Sequence, residues 1–215
     1  MSQIDLQALE KKAFRTVFDD GLWDLFIALA LFLFTVAPIL AGRFGLGDFW
    51  SSVIFLPFYL LAFWLFRIAK TGITIPRLGM MKIGAGRRSK IRGLQWILAV
   101  VLVLGLLFGV AVTVFGATLR SMNWMFTAVV CFVFMFSFTT AAVMLDVRRF
   151  IYYGLLIVML VCGGEILFWR GFVTHHGIPQ AFGLAAAVIG LTGLILLIRF
   201  RRKYPRTTED IHDNA

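Results

Sequence analysis

Acidic side chains are scarce in this chain. Eleven Asp and Glu stand against 21 Lys and Arg, for a formal charge of +10, and charged residues of both signs make up only 15% of the sequence. A soluble domain carries about 25% charged residues. With two cysteines, Cys131 and Cys162, there is no disulfide framework and no CxxC metal or redox motif. The three histidines include the adjacent pair His175 and His176. Neighbours in sequence do not share a helical face, so with one nearby carboxylate they make a thin metal site, and no metal or cofactor is expected. Phosphate-cradling loops, dinucleotide-binding glycine patterns, zinc helices of the HExxH type and GxSxG elbows are all missing. These absences remove the usual sequence warrants for an enzyme, and nothing interleaves basic and aromatic residues as nucleic-acid readers do.

What is present is apolar. Hydrophobic residues make up 60% of the 215, and the mean hydropathy is +0.90. A chain of this size cannot hide that much apolar surface in a water-soluble core. Runs of about 20 apolar residues match a hydrocarbon layer roughly 30 Å thick. Six such runs are expected as spans, near 21–41, 48–68, 94–117, 122–145, 150–169 and 180–198. The first exceeds the length of a signal-peptide core and follows Asp19 and Asp20, so it reads as a span. The second contains Pro57, which removes a backbone donor and favours a kink. Before them, residues 1–20 place Leu6, Leu9, Ala13 and Val17 at helical spacing beside Lys11, Lys12 and Arg15, as in an amphipathic interfacial helix. After them, residues 199–215 form a basic and then polar tail. The expected fold is an all-α membrane protein: a six-transmembrane-helix bundle of three helical hairpins, spans 1–2, 3–4 and 5–6, preceded by the amphipathic N-terminal helix.

Basic residues set the expected orientation. Six spans put 18 of the 21 Lys and Arg on one side, leaving only Arg43, Arg120 and Arg170 on the other. By the positive-inside rule both termini and the loop 69–93 are cytoplasmic. Trp23, Trp64 and Trp96 fall near the cytoplasmic ends of spans and Trp50, Trp124 and Trp169 near the outer ends, as aromatic belts require.

The loop 69–93 is the longest polar interruption and contains no acid. Arg77, Lys82, Arg87, Arg88, Lys90 and Arg92 are its candidate contacts to anionic lipid headgroups or a protein partner, each worth about 1 kcal/mol near a charged leaflet. Topology alone accounts for a cluster of this kind. The segment 72–83, with its β-branched residues, Pro76 and Gly79, reads as a short extended or hairpin-like piece rather than a helix. Inside the apolar runs, Asp24, Glu165 and Arg170 form a possible intramembrane polar site. Asp20 and Asp24, one turn apart, also suit the positive end of a helix dipole. Cys131 and Cys162 fall near mid-membrane as apolar filler. Gly105 with Gly109, and Ala186 with Gly190, allow close helix approach, either within the bundle or in a homo-oligomer.

Two resemblances rest on these motifs. DGLWDL at the first span, ITIPRLG after the second and the following basic cluster resemble a family of small bacterial multi-pass membrane proteins known mainly as hypothetical proteins. That resemblance covers roughly the first ninety residues; it implies the bacterial cytoplasmic (inner) membrane and no activity. GGEILFWRGF resembles the first motif of membrane-embedded CAAX-type proteases, E-E-x-x-x-R. Here Gly164 stands where the first Glu would be, and Arg170 follows Glu165 by five residues, about 140° around a helix from its partner. The expectation is therefore a non-catalytic accessory, regulatory or interaction protein with a basic cytoplasmic face. A small-solute or ion transporter or channel is the alternative, and an embedded hydrolase ranks last.

Overall fold

The computed structural model describes residues 16, 18–45, 48–78, 92–93, 96–97, 123–172 and 178–205. Regular structure among them is helical: α1 (Leu22–Arg43), α2 (Asp48–Ala69), a π-helical turn (Lys70–Thr74), α3 (Ile75–Leu78), α4 (Asn123–Leu145), α5 (Arg149–Trp169) and α6 (Ile178–Lys203). Five helices are long and apolar enough to cross a membrane. They correspond to five of the six expected spans. Most of the expected span 94–117 and most of the N-terminal amphipathic segment lie outside the described residues, as do Lys82, Arg87, Arg88, Lys90, His175 and His176.

The chain divides into two compact units. One comprises Met1–Lys82 and Phe182–Ala215, the other Ile83–Ala181. In the first unit, α1 and α2 pack against each other. Trp23 packs on Phe66 at 4.7 Å between ring centroids, and Phe26 meets Phe66, Phe63 and Tyr59 at 5.1–6.1 Å. Numbers rise on α1 as they fall on α2, so the two helices are antiparallel. Aromatic rings bury much area per residue, and each such pair adds about 0.5–1.5 kcal/mol beyond that burial.

A second face of α1 carries Gly21, Asp24, Ala28, Leu31 and Thr35, a stripe at helical spacing. It meets a small-residue face of α6. A Cβ on Gly193 would lie 2.9 Å from the Asp24 Cβ, one on Gly190 3.4 Å from the Ala28 Cβ, and one on Gly183 3.3 Å from Thr35. This pairing is antiparallel too. Close packing through small residues is what helices use where lipid supplies no hydrophobic drive, so Gly190 and buried Ala186 serve packing within the unit.

In the second unit α4 and α5 are joined by a tight turn, 146–148. Asp146 takes a left-handed φ of 58°, and the Val147 N–H reaches back to the Ala142 carbonyl at 3.0 Å. That is the Schellman closure, with Asp in the place usually held by Gly. Buried Phe150, Tyr153, Gly154, Ile157, Val161 and Glu165 make one stripe along α5. Phe138 closes over it, 3.0 Å from where a Gly154 Cβ would stand.

The segment after α2 departs from expectation. Residues 70–78 are not extended or hairpin-like; the helix of α2 runs on through the π turn into α3. The Ile75 N–H bonds the Lys70 carbonyl five residues back, the mark of a π turn. Pro76 comes next, where the wider turn has already broken the i→i−4 ladder, so its missing N–H costs little. Pro57 likewise lies within continuous α2.

Gly21 is held at φ +75° with a Cβ position 2.3 Å from the Gly193 carbonyl oxygen, whereas Gly163 faces open space. Gly21→Ala is expected to lower stability in detergent by at least about 1–3 kcal/mol from backbone strain alone. Gly163→Ala is expected to be neutral or to stabilise by up to about 1 kcal/mol. Paired thermal-unfolding curves check both.

Candidate functional site

The sequence DGLWD at the start of α1 builds a buried polar site. The chain turns at Asp19, whose N–H bonds the Thr16 carbonyl at 3.2 Å. Gly21 then takes its left-handed conformation, which a side chain at that position would oppose. This turn brings the Asp20 carboxylate back over the helix start. One oxygen accepts the Leu22 N–H at 3.1 Å, satisfying one of the orphan donors of a helix N-terminus. The other accepts the Lys70 ammonium and the Thr74 hydroxyl, both at 2.6 Å.

Asp20 is fully buried and Lys70 is 19% exposed. A buried carboxylate is tolerated only when paired and hydrogen-bonded. Three donors meet that demand here, two from the π turn. Lys70 and Thr74 begin and end the π turn and, four residues apart, share one helix face, so both reach the same acceptor. The Phe18 ring covers the Lys70 ammonium at 5.9 Å from its centroid and stacks on Trp23 at 5.8 Å. Asp24, one turn beyond Asp20, is also fully buried, at the face closed by Gly193.

Basic side chains surround this end of the unit. Arg77 donates to the Ile73 carbonyl at 2.7 Å and is half-buried. Arg67 is exposed on the last turn of α2. Because α6 runs antiparallel to α1, its C-terminal Arg199, Arg201, Arg202 and Lys203 come to the same end, all four exposed. Phe200 is buried between them, and Lys203 lies over the Tyr204 ring at 5.5 Å. Exposed Asp19 is the acid among them. Two clusters more than a hundred residues apart in sequence thus share one end of the unit.

The other singled-out residues fall in the second unit. Glu165 occupies the buried stripe of α5 and accepts the Trp169 indole N–H at 3.0 Å. Arg170 is exposed at the C-cap of α5, where its N–H bonds the Ile166 carbonyl. Asp24 is therefore in a different unit from Glu165 and Arg170. Arg92 is exposed. The Cys131 and Cys162 thiols face each other at 3.8 Å.

Sequence reasoning passed over Asp20 in favour of Asp24, and Lys70 was only one of many loop charges. The available signal was the doublet Asp19–Asp20 followed by Gly21, an acid–glycine turn immediately before an apolar run. Among the described residues no group of three or more His, Cys, Asp or Glu is placed to hold a metal ion. A scan against protein-family models and searches of curated proteins and solved structures found no match.

Breaking a buried pair by removing one partner strands the other. Asp20→Ala and Lys70→Met are each expected to destabilise by about 3–5 kcal/mol. The double variant should fall well short of the sum, because it leaves no uncompensated charge. Unfolding of the four proteins in one detergent, as a double-mutant cycle, measures the coupling.

Proposed function

We propose that this chain is a multi-pass membrane protein of the non-catalytic, accessory kind, whose basic cytoplasmic face holds anionic lipid headgroups or an acidic partner. The apolar helices make it a membrane protein. The observation that carries the rest is the gathering of Arg67, Arg199, Arg201, Arg202 and Lys203 at one end of the first unit, exposed, while Lys70 is consumed internally by Asp20. A charge buried against its counter-ion is not offered to a ligand; these five are exposed. The basic loop residues Lys82, Arg87, Arg88, Lys90 and Arg92 extend the same reading in sequence.

Parity supports six crossings with both termini on one side. The first and last described spans are antiparallel, which requires an even number of crossings, and five are described. The apolar run 94–117 supplies the sixth. The positive-inside rule then puts the basic end in the cytoplasm, in keeping with the bacterial inner membrane that DGLWDL and ITIPRLG imply by resemblance. A second reading, a small-solute or ion carrier, rests on Glu165, a carboxylate on the buried stripe of an apolar span. Such groups within membranes mark transport paths in many proteins.

Anionic lipid added to the protein in neutral detergent should raise its unfolding temperature, and salt should erode the gain. Replacing Arg199, Arg201, Arg202 and Lys203 with Gln should remove most of it, while Glu165→Gln should leave it intact. An undiminished shift in the fourfold variant would count against the lipid-binding face. Solute flux in vesicles that is lost with Glu165→Gln would favour the carrier.

A further inference from the structure

We propose that Cys131 and Cys162 are a redox pair that closes into an intramolecular disulfide under a lipid-soluble two-electron oxidant of the quinone class. The two thiols are 31 residues apart in sequence, yet the antiparallel α4–α5 hairpin sets their sulfurs 3.8 Å from each other. The register is not accidental to one side chain. Gly154 packs on Phe138 further along the same hairpin, and residue numbers across the pair sum to nearly the same value at both levels, as in-register antiparallel helices require. Both cysteines are free. Closing the bond requires the sulfurs to approach by somewhat less than 2 Å, within reach of side-chain rotation and a small helix shift. A Cβ added at Gly163, directly after Cys162, would meet nothing within 4 Å, so there is space beside the helix at that level.

Access decides the class of oxidant. Cys162 is exposed on the surface of α5 and Cys131 is half-buried behind it. Both lie inside helices long and apolar enough to span a membrane, Cys131 four residues after the start of Thr127–Leu145 and Cys162 seven before the end of Arg149–Trp169, so in a bilayer their surroundings would be hydrocarbon. An oxidant confined to water does not reach them; one dissolved in the lipid does. The reaction balances as two thiols plus one quinone giving one disulfide plus one hydroquinone. Both S–H bonds break, one S–S bond forms, and the quinone takes up the two electrons and two protons. No ion is left in the apolar layer. The product links two helices already joined by a short turn, so it stiffens the α4–α5 hairpin.

The test uses the full chain reconstituted in lipid vesicles and a fully ring-substituted benzoquinone, which cannot add a thiol to its ring. The expected result is loss of both thiols to maleimide titration under denaturing conditions, an intact mass lower by two hydrogens, and recovery of both thiols with a reducing agent. Hexacyanoferrate, which stays in water, should leave both thiols intact. Cys131→Ser and Cys162→Ser should each retain the remaining thiol after quinone treatment. The proposal is overturned if wild-type protein keeps both thiols with the quinone while a dithiol reagent in the same suspension is consumed. It is overturned equally if the thiols disappear only into cross-links between chains, or if hexacyanoferrate oxidises them as readily.

Discussion

A carboxylate with no access to water must find its partners within the protein, and that demand at Asp20 organises one end of this molecule. The Leu22 N–H, the Lys70 ammonium and the Thr74 hydroxyl meet it. Each donor ties a different feature to the same point: the start of α1, and the beginning and end of the π turn that follows α2. The turn before α1 can place Asp20 there only because Gly21 takes a positive φ. Gly21 in turn lies so close to Gly193 that no side chain fits between them. One acid thus fixes three helix ends, and its position depends on two glycines.

This economy of charge bears on function. Of the basic residues near that end, Lys70 neutralises Asp20 and Arg77 returns to its own helix at the Ile73 carbonyl. The exposed ones come from the last turns of α2 and α6, brought together by antiparallel packing on α1. In the second unit a carboxylate lies on the buried stripe of an apolar helix. Glu165 continues the stripe of Ile157 and Val161 and is satisfied in part by Trp169, and Cys131 and Cys162 meet across the hairpin.

Helix propensity alone did not decide the segment 70–78. Ile73, Thr74, Ile75 and Pro76 argue locally against a helix, and the local reading was an extended piece. Two side chains bonded to Asp20 outweigh that preference. The π turn lets the helix continue by accommodating the proline, and the four-residue spacing keeps Lys70 and Thr74 on one side. Local composition carries no information about a carboxylate fifty residues away, which is why this part of the site was not legible.

The sequence by itself determined the class and the spans. Apolar length, set against the thickness of a bilayer, located α1, α2, α4, α5 and α6 to within a few residues, because a span must satisfy its own backbone wherever it packs. It also marked the small-residue face at Ala186 and Gly190. Which charges are paired inside the fold and which lie exposed is a matter of tertiary contact. Asp20 and Lys70, Gly21 and Gly193, and Cys131 and Cys162 are pairs separated by tens of residues or more. Their meeting depends on the rotation and register of packed helices, which hydrophobic length does not specify.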